Sequence, residues 1–175
     1  NLDYRAYDSA GIAVLKGVKI DIRLDSCKSS HLTALVESNP LKGSPGIGHT
    51  RWATHVEPND LNSHPLVGYQ GQLVSVHNGI VENYLELRDE LMSEGIQFNS
   101  DTDTETIVHM IEIYLEQEMD LEEAVRSTLK RIKGAHGIVV LSTKEPEKII
   151  SARIGNAGGV RSEEHTSELQ SRQVI

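Results

Sequence analysis

The order of patterns along this chain predicts an α+β fold, with helices layered on antiparallel sheets. Two observations carry that reading. Strand-like segments fall between Gly11 and His77 and return between Ile138 and Arg153. Between them, two or three adjacent helical periods run from Glu82 to Ile132. Blocks of like elements favour helices segregated onto antiparallel sheets over an alternating parallel α/β arrangement.

The elements follow in order. Gly11 to Leu15 is a short apolar run and reads as a strand, and Lys19 to Leu24 alternates polar and apolar as a half-buried strand does. Gly17 between them suits a hairpin. His31 to Ser38 fits a short helix capped by Ser29 or Ser30. Asn39-Pro40 and Gly43-Ser44-Pro45-Gly46 are turn punctuation. Ile47 to Trp52 reads as a strand running into a loop from Ala53 to His64, and Leu73 to His77 as a further, alternating strand. From Glu82 the period becomes helical, with Tyr84, Leu87, Leu91 and Met92 on one face and Gly95 as a stop. Thr102 with Glu105 has the form of a capping box, followed by a stripe of Ile107, Val108, Ile111, Tyr114 and Leu115. Asp120 with Glu123 opens another helix, lined by Leu121, Ala124, Val125, Thr128 and Ile132 and ended by Gly134. Ile138 to Leu141 and Lys148 to Arg153 are strands around the turn at Glu145-Pro146.

Bulk properties bound the function. The 175 residues suit about one domain. A formal net charge of -9 argues against electrostatic binding of nucleic acid or anionic membranes. The single cysteine, Cys27, rules out an internal disulfide framework and a paired-thiol zinc site, and it reads as an ordinary free thiol. Apolar runs fall far short of a membrane span, and no signal peptide is visible. The expectation is a cytoplasmic protein, or a piece of one, with no cofactor. The tail from Arg161 onward resembles the translation of a sequencing adapter, so residues 161–175 are expected to be non-native and 1–160 to hold the domain.

Three polar clusters carry the chemistry. Gly48 to His55 packs an arginine, a tryptophan, two threonines and two histidines into one short stretch. Arg51 offers a guanidinium fork that matches a carboxylate, although a surface ion pair is its bland reading. Asp103 sits where a carboxylate offsets a helix dipole, and the same oxygens suit a ligand ammonium. Asn78-Gly79 reads first as a tight turn. It also suits an oxyanion hole, with the Asn amide and the Gly N–H aimed at one point. Together these residues look like a pocket for a small zwitterion. The separations of His49, His55, His64 and His77 match no standard metal spacing, so no metal site is expected.

The segments YRAYDSAG (4–11), GIGHTRWATH (46–55), NSHP (62–65), VHNGIVEN (76–83) and SDTDTE (100–105) resemble, in order and spacing, the glutaminase domains of class II glutamine amidotransferases. They are most similar to the form found in the glutamine–fructose-6-phosphate aminotransferases (glucosamine-6-phosphate synthases), over about Leu2 to Asn156. The resemblance implies the N-terminal-nucleophile hydrolase fold, an αββα four-layer sandwich, here truncated at both ends. In that family an N-terminal cysteine attacks the glutamine amide, and the ammonia passes to a sugar-phosphate isomerase domain. Residue by residue, Arg51 would hold the glutamine carboxylate with Thr54 and His55 beside it, and Asp103 the ammonium. Asn78 and Gly79 would form the oxyanion hole, Trp52 would belong to the covering loop, and Arg5 and His64 would support the site. The full-length protein is expected to be a homodimer. Cys27 does not align with the family nucleophile, so the polypeptide as written is expected to be inactive. Ala6 and Val56 stand where the family usually has glycine, and the match ends after Asn156. The alternatives are another class II amidotransferase, such as amidophosphoribosyltransferase, and a non-catalytic amino-acid-binding module.

Overall fold

The computed structural model describes residues 9–25, 29–51 and 62–157. Its elements are β1 (Ser9–Lys16), β2 (Lys19–Asp25), α1 (Ser29–Ser38), β3 (Gly46–Arg51), β4 (Leu66–Val67), β5 (Leu73–Gly79), α2 (Tyr84–Ser93), α3 (Asp103–Glu116), α4 (Leu121–Arg131), β6 (His136–Ser142) and β7 (Ile149–Ile154). Two antiparallel sheets form, one in the order β2-β1-β3 and one in the order β4-β5-β6-β7.

Side-chain alternation stacks four layers. Ala13, Leu15 and Ile47 of the first sheet meet Val74, Val76 and Leu141 of the second in an apolar core between the sheets. The opposite face of β2 carries Arg23, whose Nε donates to the Asn39 carbonyl just beyond α1 (3.3 Å), and α1 packs against β2 and β1. On the far side of the second sheet, Leu73, Ile138 and Val140 meet Ile107, Ile111 and Leu121 in the larger core beneath α2, α3 and α4. The order is therefore helix, sheet, sheet, helices, the αββα sandwich that the resemblance implied.

Most elements stand where the patterns put them, and the departures have physical causes. β5 is buried on both faces because it lies between the other sheet and α3, so its polar positions Ser75 and His77 are buried along with Val74 and Val76. For the same reason α3 is buried nearly all round, including Thr104, Glu105, Thr106 and Glu112. β4 is two residues long, too short for any period to show. α1 begins at Ser29, two residues before the helix that the pattern placed at His31. Met92 faces solvent although its spacing put it with Leu87 and Leu91. Asp120 caps α4 as expected, accepting the Glu123 N–H at 2.8 Å.

The Thr102–Glu105 capping box does not form. Thr102 occupies the N-cap position of α3 but makes no side-chain cap bond, and its hydroxyl pairs with Ser100 Oγ instead (2.9 Å). Glu105 turns to the loop that enters the helix. Its Oε1 accepts the Asn99 N–H (2.8 Å) and its Oε2 the Ser100 N–H (2.7 Å) and hydroxyl (2.6 Å). His109 Nε2 donates to Oε1 from one turn on (3.2 Å). Burial raises the Glu105 pKa, but these four donors outweigh it and hold the carboxyl at about 2. Arg88 donates to the Ser100 carbonyl (3.1 Å) and Asn62 Oδ1 accepts the Asp101 N–H (3.0 Å). The segment leading into Asp103 is thus held by buried, charge-assisted bonds.

Candidate functional site

Asn78 and Gly79 are not a turn. They continue β5 to its end, paired with Gly137 and His136 of β6. The ladder shows where their amides point. Thr143 N–H donates to the Gln72 carbonyl (2.9 Å) and Glu82 N–H to the Lys133 carbonyl (2.9 Å), two residue pairs of one register. In an antiparallel ladder, hydrogen-bonded and non-hydrogen-bonded pairs alternate. Even-numbered β5 residues therefore bond to β6, and the odd-numbered Gly79 directs its N–H to the other edge. Among the described residues that edge is covered by β4 opposite Val74 and Ser75, and no described strand pairs with Gly79 on that side. Gly79 has φ +136°, and a Cβ there would stand 2.1 Å from the Ala135 carbonyl oxygen, so glycine is required.

The Asn78 side chain lies on the face toward the first sheet, where His49 Nε2 meets its Oδ1 at 3.0 Å. An amide oxygen only accepts, so the imidazole N–H donates. This orients the Asn78 amide and leaves both Nδ2 hydrogens directed away from His49. His49 lies two residues before Arg51, the last residue of β3. Arg51 pairs with Ser9 through the backbone, which puts the arginine position at the same end of the molecule as Asn78.

Asp103 begins α3 beside this strand end, and its Oδ2 accepts the Val81 N–H (2.7 Å). Its half-buried carboxylate thus adjoins the chain three residues beyond Asn78. His64 is buried, with Nε2 3.0 Å from Thr104 Oγ1 and its ring 4.8 Å from that of His49. The close passage of residues 64–65 over β1 also explains Gly11, where a Cβ would meet the His64 carbonyl oxygen at 2.2 Å. Asn78, Gly79, Asp103, His64 and the backbone of Arg51 therefore lie at one end of the two sheets. Trp52, Thr54, His55 and Arg5 lie outside the described residues, as does Cys27.

Pattern reading assigned no role to Thr104 or His136, yet both touch the expected residues. His77 Nδ1 is 2.9 Å from Thr104 Oγ1, and His77 Nε2 is 3.1 Å from His136 Nδ1. Burial lowers the His77 pKa to about 3, with His136 and His49 acting in the same direction, so this ring is neutral. Burial also lowers His136, against the opposing effects of the Lys133 backbone, Asp103 and Glu82. The histidines meet through rings and a hydroxyl. Among the described residues no three His, Cys, Asp or Glu side chains are arranged to hold a metal ion. Nor is any described helix long and apolar enough to cross a membrane. The arrangement can offer one carboxylate to a cation, with an oriented amide and a backbone N–H for an anion nearby.

Residues 49–156 match a family profile described as a glutamine amidotransferase domain. A glutamine–fructose-6-phosphate aminotransferase (isomerizing) from Clostridium perfringens is 45% identical over 87% of this chain and 25% of that protein. Its namesake from Caldanaerobacter subterraneus subsp. tengcongensis is 47% identical over 87% of this chain and 25% of that protein. The chain spans about a quarter of the length of these curated relatives. Among solved structures, a glutamine phosphoribosylpyrophosphate amidotransferase from B. subtilis is similar with a TM-score of 0.69 and 25% identity, over 87% of this chain and 32% of that one.

Proposed function

Because the chain belongs to the glutamine amidotransferase domain family, we propose that it is the glutamine-hydrolysing part of a longer aminotransferase that makes glucosamine 6-phosphate from fructose 6-phosphate. The Arg51 guanidinium takes the α-carboxylate of glutamine, with Thr54 and His55 beside it, and Asp103 takes the α-ammonium. The side-chain carbonyl then lies toward Asn78 Nδ2 and the Gly79 N–H. As a nucleophile gives up its proton and adds to the amide carbon, the carbonyl oxygen becomes an oxyanion that these two donors stabilise. Its collapse breaks the C–N bond, the nitrogen takes up that proton and leaves as ammonia, and water then hydrolyses the acyl intermediate to glutamate. Trp52 belongs to the segment covering the site, while Arg5 and His64 support it.

The observation that carries the proposal is the end of β5. There an amide oriented by His49 and a Gly79 N–H turned away from β6 lie two to three residues before Val81, whose N–H the Asp103 carboxylate accepts. The stronger likeness to the hexosamine-forming enzymes, 43–47% against 25% for the phosphoribosyl relative, favours fructose 6-phosphate as the acceptor. The same reading carries a cytoplasmic location, a homodimer and a sugar-phosphate isomerase domain in the longer protein. The test is glutamate release and hexosamine phosphate formation by the intact protein given glutamine and fructose 6-phosphate. Formation of phosphoribosylamine from phosphoribosyl pyrophosphate would move the assignment to the purine-type enzyme. Glutamine binding without glutamate release would support a non-catalytic module.

A further inference from the structure

We propose that Thr104 is a positioning residue for this amide chemistry. Its hydroxyl joins His77 and His64 in one buried contact and holds the ammonium-binding start of α3 against the oxyanion end of β5. The inference rests on the reading of the site given above.

Thr104 follows Asp103 directly, and His77 directly precedes Asn78. The hydroxyl is therefore one residue from each half of the proposed glutamine grip. Thr104, His64, His77 and His136 are all buried. Thr104 Oγ1 lies 2.9 Å from His77 Nδ1 and 3.0 Å from His64 Nε2. A hydroxyl carries one proton and two lone pairs, so it donates to at most one of the two rings and at least one ring donates to it. His77 Nε2 meets His136 Nδ1 at 3.1 Å, and between two neutral rings one nitrogen donates and the other accepts. The four groups form one connected chain, in which the tautomer of His77 sets the direction of both the Thr104–His77 and the His77–His136 bonds. With the adjacent Asp103–Val81 bond (2.7 Å), two neighbouring ties set the distance between ammonium anchor and oxyanion donor. A displacement of about 1 Å in such a distance costs about a hundredfold in rate.

The test separates the hydroxyl from the volume it fills. Thr104→Val keeps the shape and removes the proton donor and acceptor, whereas Thr104→Ser keeps the hydroxyl and loses a methyl. In the intact protein, Thr104→Val is expected to lower kcat for glutamate release by about tenfold to a hundredfold per folded molecule. Thr104→Ser is expected to stay within about threefold of wild type. Valine kinetics matching wild type, or serine as impaired as valine, overturns the proposal. A second measurement needs no variant. Long-range ¹H–¹⁵N NMR of the wild-type protein is expected to show His77 as a single neutral tautomer from pH 7 to pH 5. A titrating ring or a mixture of tautomers there overturns the proposal even where a variant does not fold. Absence of glutamate release by the wild-type protein would instead sink the functional reading, leaving the NMR result to judge the hydrogen-bond chain by itself.

Discussion

Replacing Glu105 with glutamine probes the device that sets the entry to α3. The wild-type side chain is 3% exposed and receives four donors, two on each oxygen. Its carboxyl is held at about 2 against the ordinary 4.5, a preference for the ionised form of about 3 kcal/mol in the folded protein. Glutamine keeps one oxygen and presents an NH2 group to the other two donors. A buried donor left without its acceptor costs about 1–3 kcal/mol, so two cost about 2–6 kcal/mol, a range that includes that figure. The expected loss at neutral pH is about 3 kcal/mol, or roughly 6–12 °C in Tm for a domain of this size. The pH dependence supplies the sharper check. A carboxyl whose folded pKa is depressed stabilises fully above its unfolded value and loses that contribution as pH falls toward the folded value. The gap between wild type and Glu105→Gln is therefore expected to shrink from about 3 kcal/mol at pH 7 to about 1 kcal/mol at pH 3. Urea unfolding at both pH values measures it. Equal stability at pH 7, or a gap that does not change with pH, refutes the reasoning.

Other expectations concern the site itself, in the intact protein. Arg51→Ala is expected to raise the glutamine KM by about tenfold to 150-fold, from the roughly 1.5–3 kcal/mol of a charged hydrogen bond; steady-state glutaminase kinetics read it. Asn78→Ala is expected to lower kcat by about 10²–10³ with little change in KM, as for other oxyanion donors; unaltered turnover would leave Asn78 a structural strand residue. Gly79→Ala should abolish activity and lower Tm, since its Cβ would press on the Ala135 carbonyl oxygen at 2.1 Å; a wild-type melting curve would contradict the strand-end geometry. The neutral His77 makes a separate pH statement. Its folded pKa of about 3 lies below the ordinary 6.5, so the unfolded chain binds a proton that the folded chain refuses, and stability falls as pH drops below about 6.5. His77→Gln should flatten that slope between pH 6.5 and pH 4.5, as read by denaturant midpoints.

Much of the fold was legible in the order of periods, because each strand and helix buries a face whose spacing is local. Leu121, Ala124, Val125, Thr128 and Ile132 show this, since all five are buried as their spacing predicted. What stayed hidden depends on partners far along the chain. Asn-Gly suggests a turn wherever strands lack a reason to continue, and here β6 supplies that reason by pairing through Gly79. Thr102 and Glu105 have the spacing of a capping box, but the loop before the helix offers Glu105 better donors. The candidate residues Asn78, Asp103 and Arg51 were found as motif members. Thr104 and His136 were missed because their contacts span 27 to 59 residues, which no local pattern encodes.

On the proposed function, the ends of β3 and β5 and the start of α3 form one cup for glutamine. A crystal structure of the intact protein with glutamate bound tests it most directly. The α-carboxylate is expected on the Arg51 guanidinium and the α-ammonium on Asp103. One side-chain oxygen should lie within hydrogen-bond distance of both Asn78 Nδ2 and the Gly79 N–H. Glutamate seated elsewhere, or bound here with its side chain turned away from Asn78 and Gly79, would contradict the account.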